Sequence, residues 1–143
     1  MTNTRTGTLR IANAGGYWGD DPYALRRQVL GEIPIDYVSM DFLAEITMSI
    51  LQKQYARDPS TGYARDFVTQ IDPLLEAIKK RGIKVITNAG GVNPKACADA
   101  LFDVAKKRGV ALKVAVVGGD DVVPRLDELT LEHGDRRIPR RVS

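Results

Sequence analysis

The stretch IKVITNAGGVNPKACADAL, residues 83–101, carries in one line the signals that decide the fold class. IKVIT, residues 83–87, is a short run rich in β-branched residues and followed by glycines, which reads as a buried strand. Gly90-Gly91 turns the chain, and Asn93-Pro94 opens a helix over 95–108. Asparagine caps free backbone N–H groups, and proline suits the first helical position because no N–H is needed there. Gly109 then supplies a stop. Strand, glycine turn and capped helix form the first part of a β-α-β unit, whose next strand runs parallel to the first.

The same order recurs along the chain. TLRIAN, residues 8–13, leads into a second copy of the tetrapeptide NAGG (Asn13 to Gly16; the other spans Asn88 to Gly91), and Asp21-Pro22 begins a helix with Asp21 as its cap. PIDYVS, residues 34–39, ends just before Asp41, and LKVAVV, residues 112–117, ends at Gly118-Gly119. Helices are expected over 41–56 and 64–81, the second with a break at Asp72-Pro73 and a stop at Gly82. In the first of these Phe42, Ile46, Ser49, Ile50 and Lys53 lie along one side, widened by Leu43, Met48 and Leu51, which predicts a well-buried helix. A last helix starts at Val123-Pro124. The expected fold is α/β: a three-layer, Rossmann-like domain with a mainly parallel sheet of at least four strands. Residues 1–131 form that single domain, and residues 132–143 form a basic, disordered tail.

Composition narrows the function classes. The chain of 143 residues has room for one domain with a real core. It lacks an apolar run near 18 residues and has no secretory signal, so neither a membrane nor export is expected, and a cytoplasmic location follows. The net charge of +3 is local: without residues 132–143 the counts fall to 17 basic and 16 acidic residues, so no nucleic-acid surface is expected. Cys97 has no partner for a disulfide and no ligand neighbour, and reads as a small buried side chain. The one histidine, His133, lies in the tail.

In a parallel sheet the strand ends converge on one edge, where ligands bind. Asn13–Gly16, Met40–Asp41, Asn88–Gly91 and Gly118–Asp121 would meet there. The bare N–H groups of Gly15, Gly16, Gly90 and Gly91 suit an anion such as a carboxylate or phosphate, although a tight turn alone also accounts for each loop. Asn13 and Asn88 can hold a substrate carbonyl or orient a loop, and Asn93 is first a helix cap. Asp20, Asp41, Asp120 and Asp121 are the candidate catalytic carboxylates, able to act as acid, base or divalent-metal ligand. Glu45 shares a helix face with Asp41, and Asp21, Asp120 or Asp121 also have capping roles open to them. Ala14, Gly16 and Gly19 give only a partial dinucleotide fingerprint, with Asp41 near the place of a ribose-binding acid. Tyr17 and Trp18 read as packing residues. No Walker A loop is present, and cofactor and metal are left unassigned.

GGYWGDDP, DFLAEITM, DPSTGYARDF, TNAGGVNPKACADAL and VAVVGGDDVVPRLDEL, in this order, resemble the N-terminal part of the acyclic terpene utilisation (AtuA-like) family over residues 8–129. The resemblance implies a part in bacterial breakdown of branched acyclic terpenoid acids, whose intermediates travel as coenzyme A thioesters, and an enzyme whose reaction is open. The implied ligand is a small carboxylate or acyl-CoA. The alternative is a non-catalytic binding or assembly domain. Members of the family are longer, so a truncated, inactive chain with a homo-oligomeric partner or a missing C-terminal domain is a further expectation.

Overall fold

The structure, a computed structural model, describes residues 7–15 and 19–126. Gly16, Tyr17, Trp18 and the tail with His133 lie outside the described residues, as do residues 1–6. Three parallel strands form the sheet in the order β1 (Ile11–Asn13), β2 (Tyr37–Met40), β3 (Lys84–Thr87). Register places Ile11, Tyr37 and Lys84 in one row and Asn13, Ser39 and Ile86 in another. Five α-helices accompany them: α1 (Ala24–Leu30), α2 (Glu45–Arg57), α3 (Arg65–Ile71), α4 (Leu75–Arg81) and α5 (Pro94–Lys107).

Local chemistry sets most boundaries. Asp72-Pro73 interrupts one helical run with a single 3-10 turn between α3 and α4, because proline removes an N–H. Gly82 ends α4 in the left-handed region, with φ of 67°. Asn93 caps α5 by accepting from the Ala96 N–H at 3.2 Å, with Pro94 at the first helical position. The first helix starts later than Asp21-Pro22 suggests. Asp21 Oδ1 accepts from the Tyr23 N–H at 2.8 Å in a turn, and regular helix begins at Ala24.

One cluster holds Leu25 and Val29 of α1, Val38 and Met40 of β2, Phe67 and Ile71 of α3, Leu75 and Ile78 of α4, and Cys97, Leu101 and Ala105 of α5. Four helices therefore share one face of the sheet. Each fully buried aliphatic side chain in this cluster contributes about 1.5–3 kcal/mol. The rings of Phe42 and Phe67 meet edge to face at 5.8 Å. On the opposite face Ile11 is 68% and Ile86 58% exposed.

Three expectations are corrected. Among the described residues the sheet has three strands, not at least four, and helices cover one face, so the three-layer arrangement is not formed. The missing strand is residues 112–117. Leu112 and Val114 pack against the core, but Val117 is 92% exposed. The segment packs on the core along one side without joining the ladder among the described residues. Helix α2 begins at Glu45, not at residue 41, and is not well buried: it buries Thr47 and Leu51, while Ile46 is 75% exposed. The helix expected at Val123-Pro124 opens with a 3-10 turn over Val123–Arg125 and is helical at Leu126; its continuation lies outside the described residues.

Candidate functional site

The parallel order brings the carboxyl ends of all three strands to one edge. Pairing continues past β1, since the Ala14 N–H donates to the Ser39 carbonyl at 2.9 Å. In the loop that follows, Asn13 Oδ1 accepts from the Gly15 N–H at 3.2 Å. A side chain added at Gly15 would meet, among the described residues, the Asp41 carbonyl at 3.9 Å, so this loop adjoins the end of β2.

Asp41 and Asn88 form the centre of the edge. The Asn88 amide N–H donates to Asp41 Oδ1 at 2.7 Å, and Asn88 Oδ1 accepts from the Phe42 N–H at 2.8 Å. Asp41 Oδ1 also accepts from the Leu43 N–H at 3.0 Å. The hydrogen bond from Asn88, then that from Leu43, holds the Asp41 carboxyl below the usual carboxylate range. At neutral pH Asp41 is an anion, suited to accepting protons or hydrogen bonds and not to donating them.

The second NAGG loop is built otherwise. Its glycines face protein: a Cβ at Gly91 would lie 2.5 Å from Leu51 Cδ1 and 2.6 Å from the Gly62 carbonyl, and one at Gly90 would lie 2.7 Å from Pro94 Cβ. Gly91 also has φ of 55°. Around it the Val92 N–H donates to the Gly62 carbonyl at 3.0 Å and the Ala64 N–H to the Ala89 carbonyl at 2.8 Å. Asn93 completes the knot by donating to the Pro59 and Thr61 carbonyls at 2.9 and 2.8 Å. The sequence reading uses residues 58–62 only as part of the DPSTGYARDF stretch that carries the family resemblance, with no role at the edge. Its role as the partner of the second loop was signalled by Gly62, whose φ of 94° and Cβ distance of 2.9 Å to Val92 Cγ2 demand glycine.

The other candidates divide as follows. Asp20 Oδ1 accepts from the Asp21 N–H at 2.8 Å, in the turn before α1. Asp121 Oδ1 accepts from the Val123 N–H at 3.1 Å and so serves the final turn. Asp120 and Asp121 lie in the exposed segment that follows residues 112–117, and neither hydrogen-bonds Asp41 among the described residues. Their expected place at the edge depended on a fourth strand. Gly16 lies outside the described residues. Of the site residues read from sequence, the structure thus brings Asn13, Gly15, Asp41 and Asn88 together and turns Gly90, Gly91 and Asn93 toward packing.

Burial pushes the Cys97 thiol up to about 11, which keeps it protonated at neutral pH. Among the described residues no group of three or more His, Cys, Asp or Glu side chains could hold a metal ion. A shallow groove of about 480 Å³ between the 59–65 loop and α5 touches Asn93 but none of the Asp41 cluster. No helix among the described residues is long and apolar enough to cross a membrane.

Comparison with curated proteins and with solved structures returns no match. The profile of the family described as "Acyclic terpene utilisation family protein AtuA" matches residues 9–140. That span continues past Leu129, where the motif resemblance ends, and takes in most of the arginine-rich segment. With nearly its whole length matched, the chain belongs to the AtuA acyclic terpene utilisation family.

Proposed function

We propose that this chain handles a small branched carboxylate, or its coenzyme A thioester, in the catabolism of acyclic terpenoid acids, and that the ligand docks at the carboxyl edge of the sheet. The observation that carries this reading is the convergence of the first NAGG loop, Asp41 and Asn88 at the ends of three parallel strands. Family membership supports terpenoid chemistry as its setting. In this reading the Asn13–Gly15 loop, uncrowded at Gly15 among the described residues, receives an anionic or carbonyl group, and the ionised Asp41 serves as base or acceptor beside it.

Thermal unfolding of the full chain with branched carboxylates, their coenzyme A thioesters, nicotinamide cofactors and divalent metals tests this. A ligand that binds the native state alone raises the midpoint. The reading predicts a rise with a carboxylate or thioester that Asp41→Asn reduces. A rise with nicotinamide cofactor alone, or one that Asp41→Asn leaves intact, counts against it.

A further inference from the structure

We infer that Asn88 is the positioning residue of this site, fixing Asp41 as a one-sided acceptor that meets a hydrogen-bond donor on the ligand, a hydroxyl or an ammonium, and not the ligand's own carboxylate. The inference rests on the proposal that Asp41 faces ligand. Asn88 stands one residue beyond β3, and Asp41 one residue beyond β2, so a single side chain links two strand ends. Both ends of its amide are committed. Oδ1 accepts from the Phe42 N–H at 2.8 Å, a backbone donor that cannot reverse its role, and this obliges Nδ2 to face the carboxylate at 2.7 Å. The orientation of the amide is therefore dictated by the backbone of the strand it serves.

Asp41 Oδ1 already takes two hydrogen bonds, from Asn88 and from the Leu43 N–H. Oδ2 takes none among the described residues, and the side chain is exposed. The groups acting on its ionisation are, largest first, these hydrogen bonds, an opposing desolvation and a weaker backbone influence of Phe42, whose N–H is given to Asn88 Oδ1; no charged side chain of β1, β3 or α5 is among them. An anion with one oxygen saturated and the other open attracts a donor and repels a carboxylate. The Asn88 amide has no N–H directed to a second partner among the described hydrogen bonds, so it acts through Asp41.

Carboxyl-carbon NMR titration of the full chain tests the assignment, using wild type, Asn88→Asp and Asn88→Ala. Asn88→Asp keeps the acceptor for Phe42 and removes only the donor. Its expected effect is a rise in the Asp41 midpoint, since a second carboxylate at that distance opposes ionisation and the two titrate as a pair. Asn88→Ala is expected to return the midpoint toward the ordinary carboxylate value. An Asp41 midpoint unchanged in both variants overturns the positioning role. Should the variants unfold, the wild-type Asn88 side-chain amide decides: an Nδ2–H resonance that follows the Asp41 titration supports the role, and one that does not overturns it. The ligand arm compares a branched hydroxy acid with the same acid lacking its hydroxyl. The hydroxy acid should bind on the order of tenfold tighter, with the difference lost in Asp41→Asn. Equal binding overturns the donor preference alone. Binding of neither acid overturns the ligand reading itself, while the titration, which uses no ligand, still decides the role of Asn88.

Discussion

The tetrapeptide Asn-Ala-Gly-Gly serves two different ends in this molecule. At residues 88–91 the glycines are steric necessities: Leu51 and the Gly62 carbonyl crowd Gly91, and Pro94 crowds Gly90. At residues 13–15, among the described residues, a side chain placed at Gly15 finds the Asp41 carbonyl alone within 4 Å. The asparagines differ too. Asn13 closes a local turn on Gly15, while Asn88 reaches across the sheet edge to hold Asp41. An identical sequence thus marks a packing joint in one place and, among the described residues, an uncrowded neighbour of a carboxylate in the other; neighbours, not the motif, decide which.

The sharpest way to break this contrast is Gly91→Ala. With a Cβ at 2.5 Å from Leu51 and a left-handed φ, the substitution should cost about 3 kcal/mol or more in a urea unfolding series, or prevent folding. A loss below about 1 kcal/mol would show that the knot is not tight. Asn93→Ala comes next. It removes a helix cap and both tethers to the 59–61 loop, for an expected loss of about 2 kcal/mol on the same axis.

The pH dependence of stability sharpens the comparison from the other side. Hydrogen bonds from the Asn88 side chain and the Leu43 N–H depress Asp41, those from the Ser60 side chain and backbone depress Asp58, and the Arg27 side chain depresses Asp21. For such groups the unfolded chain holds its proton more tightly than the folded one. Their stabilising effect is full above the ordinary carboxylate range and is lost as pH falls through the lowered values. Denaturation midpoints measured from neutral pH downward should fall across that window, and Asp41→Asn should flatten the fall. The smallest effect belongs to Gly15→Ala. Its stability change should stay within about 0.5 kcal/mol, as for a surface substitution, while ligand affinity drops.

Much of the fold is legible in the sequence because its signals are local. Asn93-Pro94, Asp72-Pro73 and Gly82 act through their own backbone geometry, and each marks a boundary where the structure has one. The 112–117 segment is not legible in this way. Its apolar run has the pattern of a strand, but a ladder needs a neighbouring strand to pair with, which pattern alone does not report, and the segment joins no ladder among the described residues. Helix α2 shows the same limit: Ile46 and Ile50 are exposed among the described residues, and periodicity alone does not say what an apolar stripe meets.

The site is legible as to residues and less so as to roles. Asp41, Asn13, Gly15 and Asn88 are drawn together because parallel strands end on one edge, a matter of topology. That Asn88 spends its amide on Asp41 and Phe42, and that Gly91 is packed by Leu51, depend on contacts between residues some forty or fifty positions apart. No spacing rule reports those. Asp120 and Asp121 show the converse: their motif is as suggestive as Asp41, yet their placement hung on a strand that did not form.

The most direct test of the central claim is backbone amide NMR mapping of the chain during titration with a branched carboxylate or its coenzyme A thioester. The account predicts the largest displacements at Asn13–Gly15 and Phe42–Leu43, with Gly90, Gly91 and Val92 nearly unmoved. Displacements centred on Gly90–Val92, with the first loop silent, would contradict it.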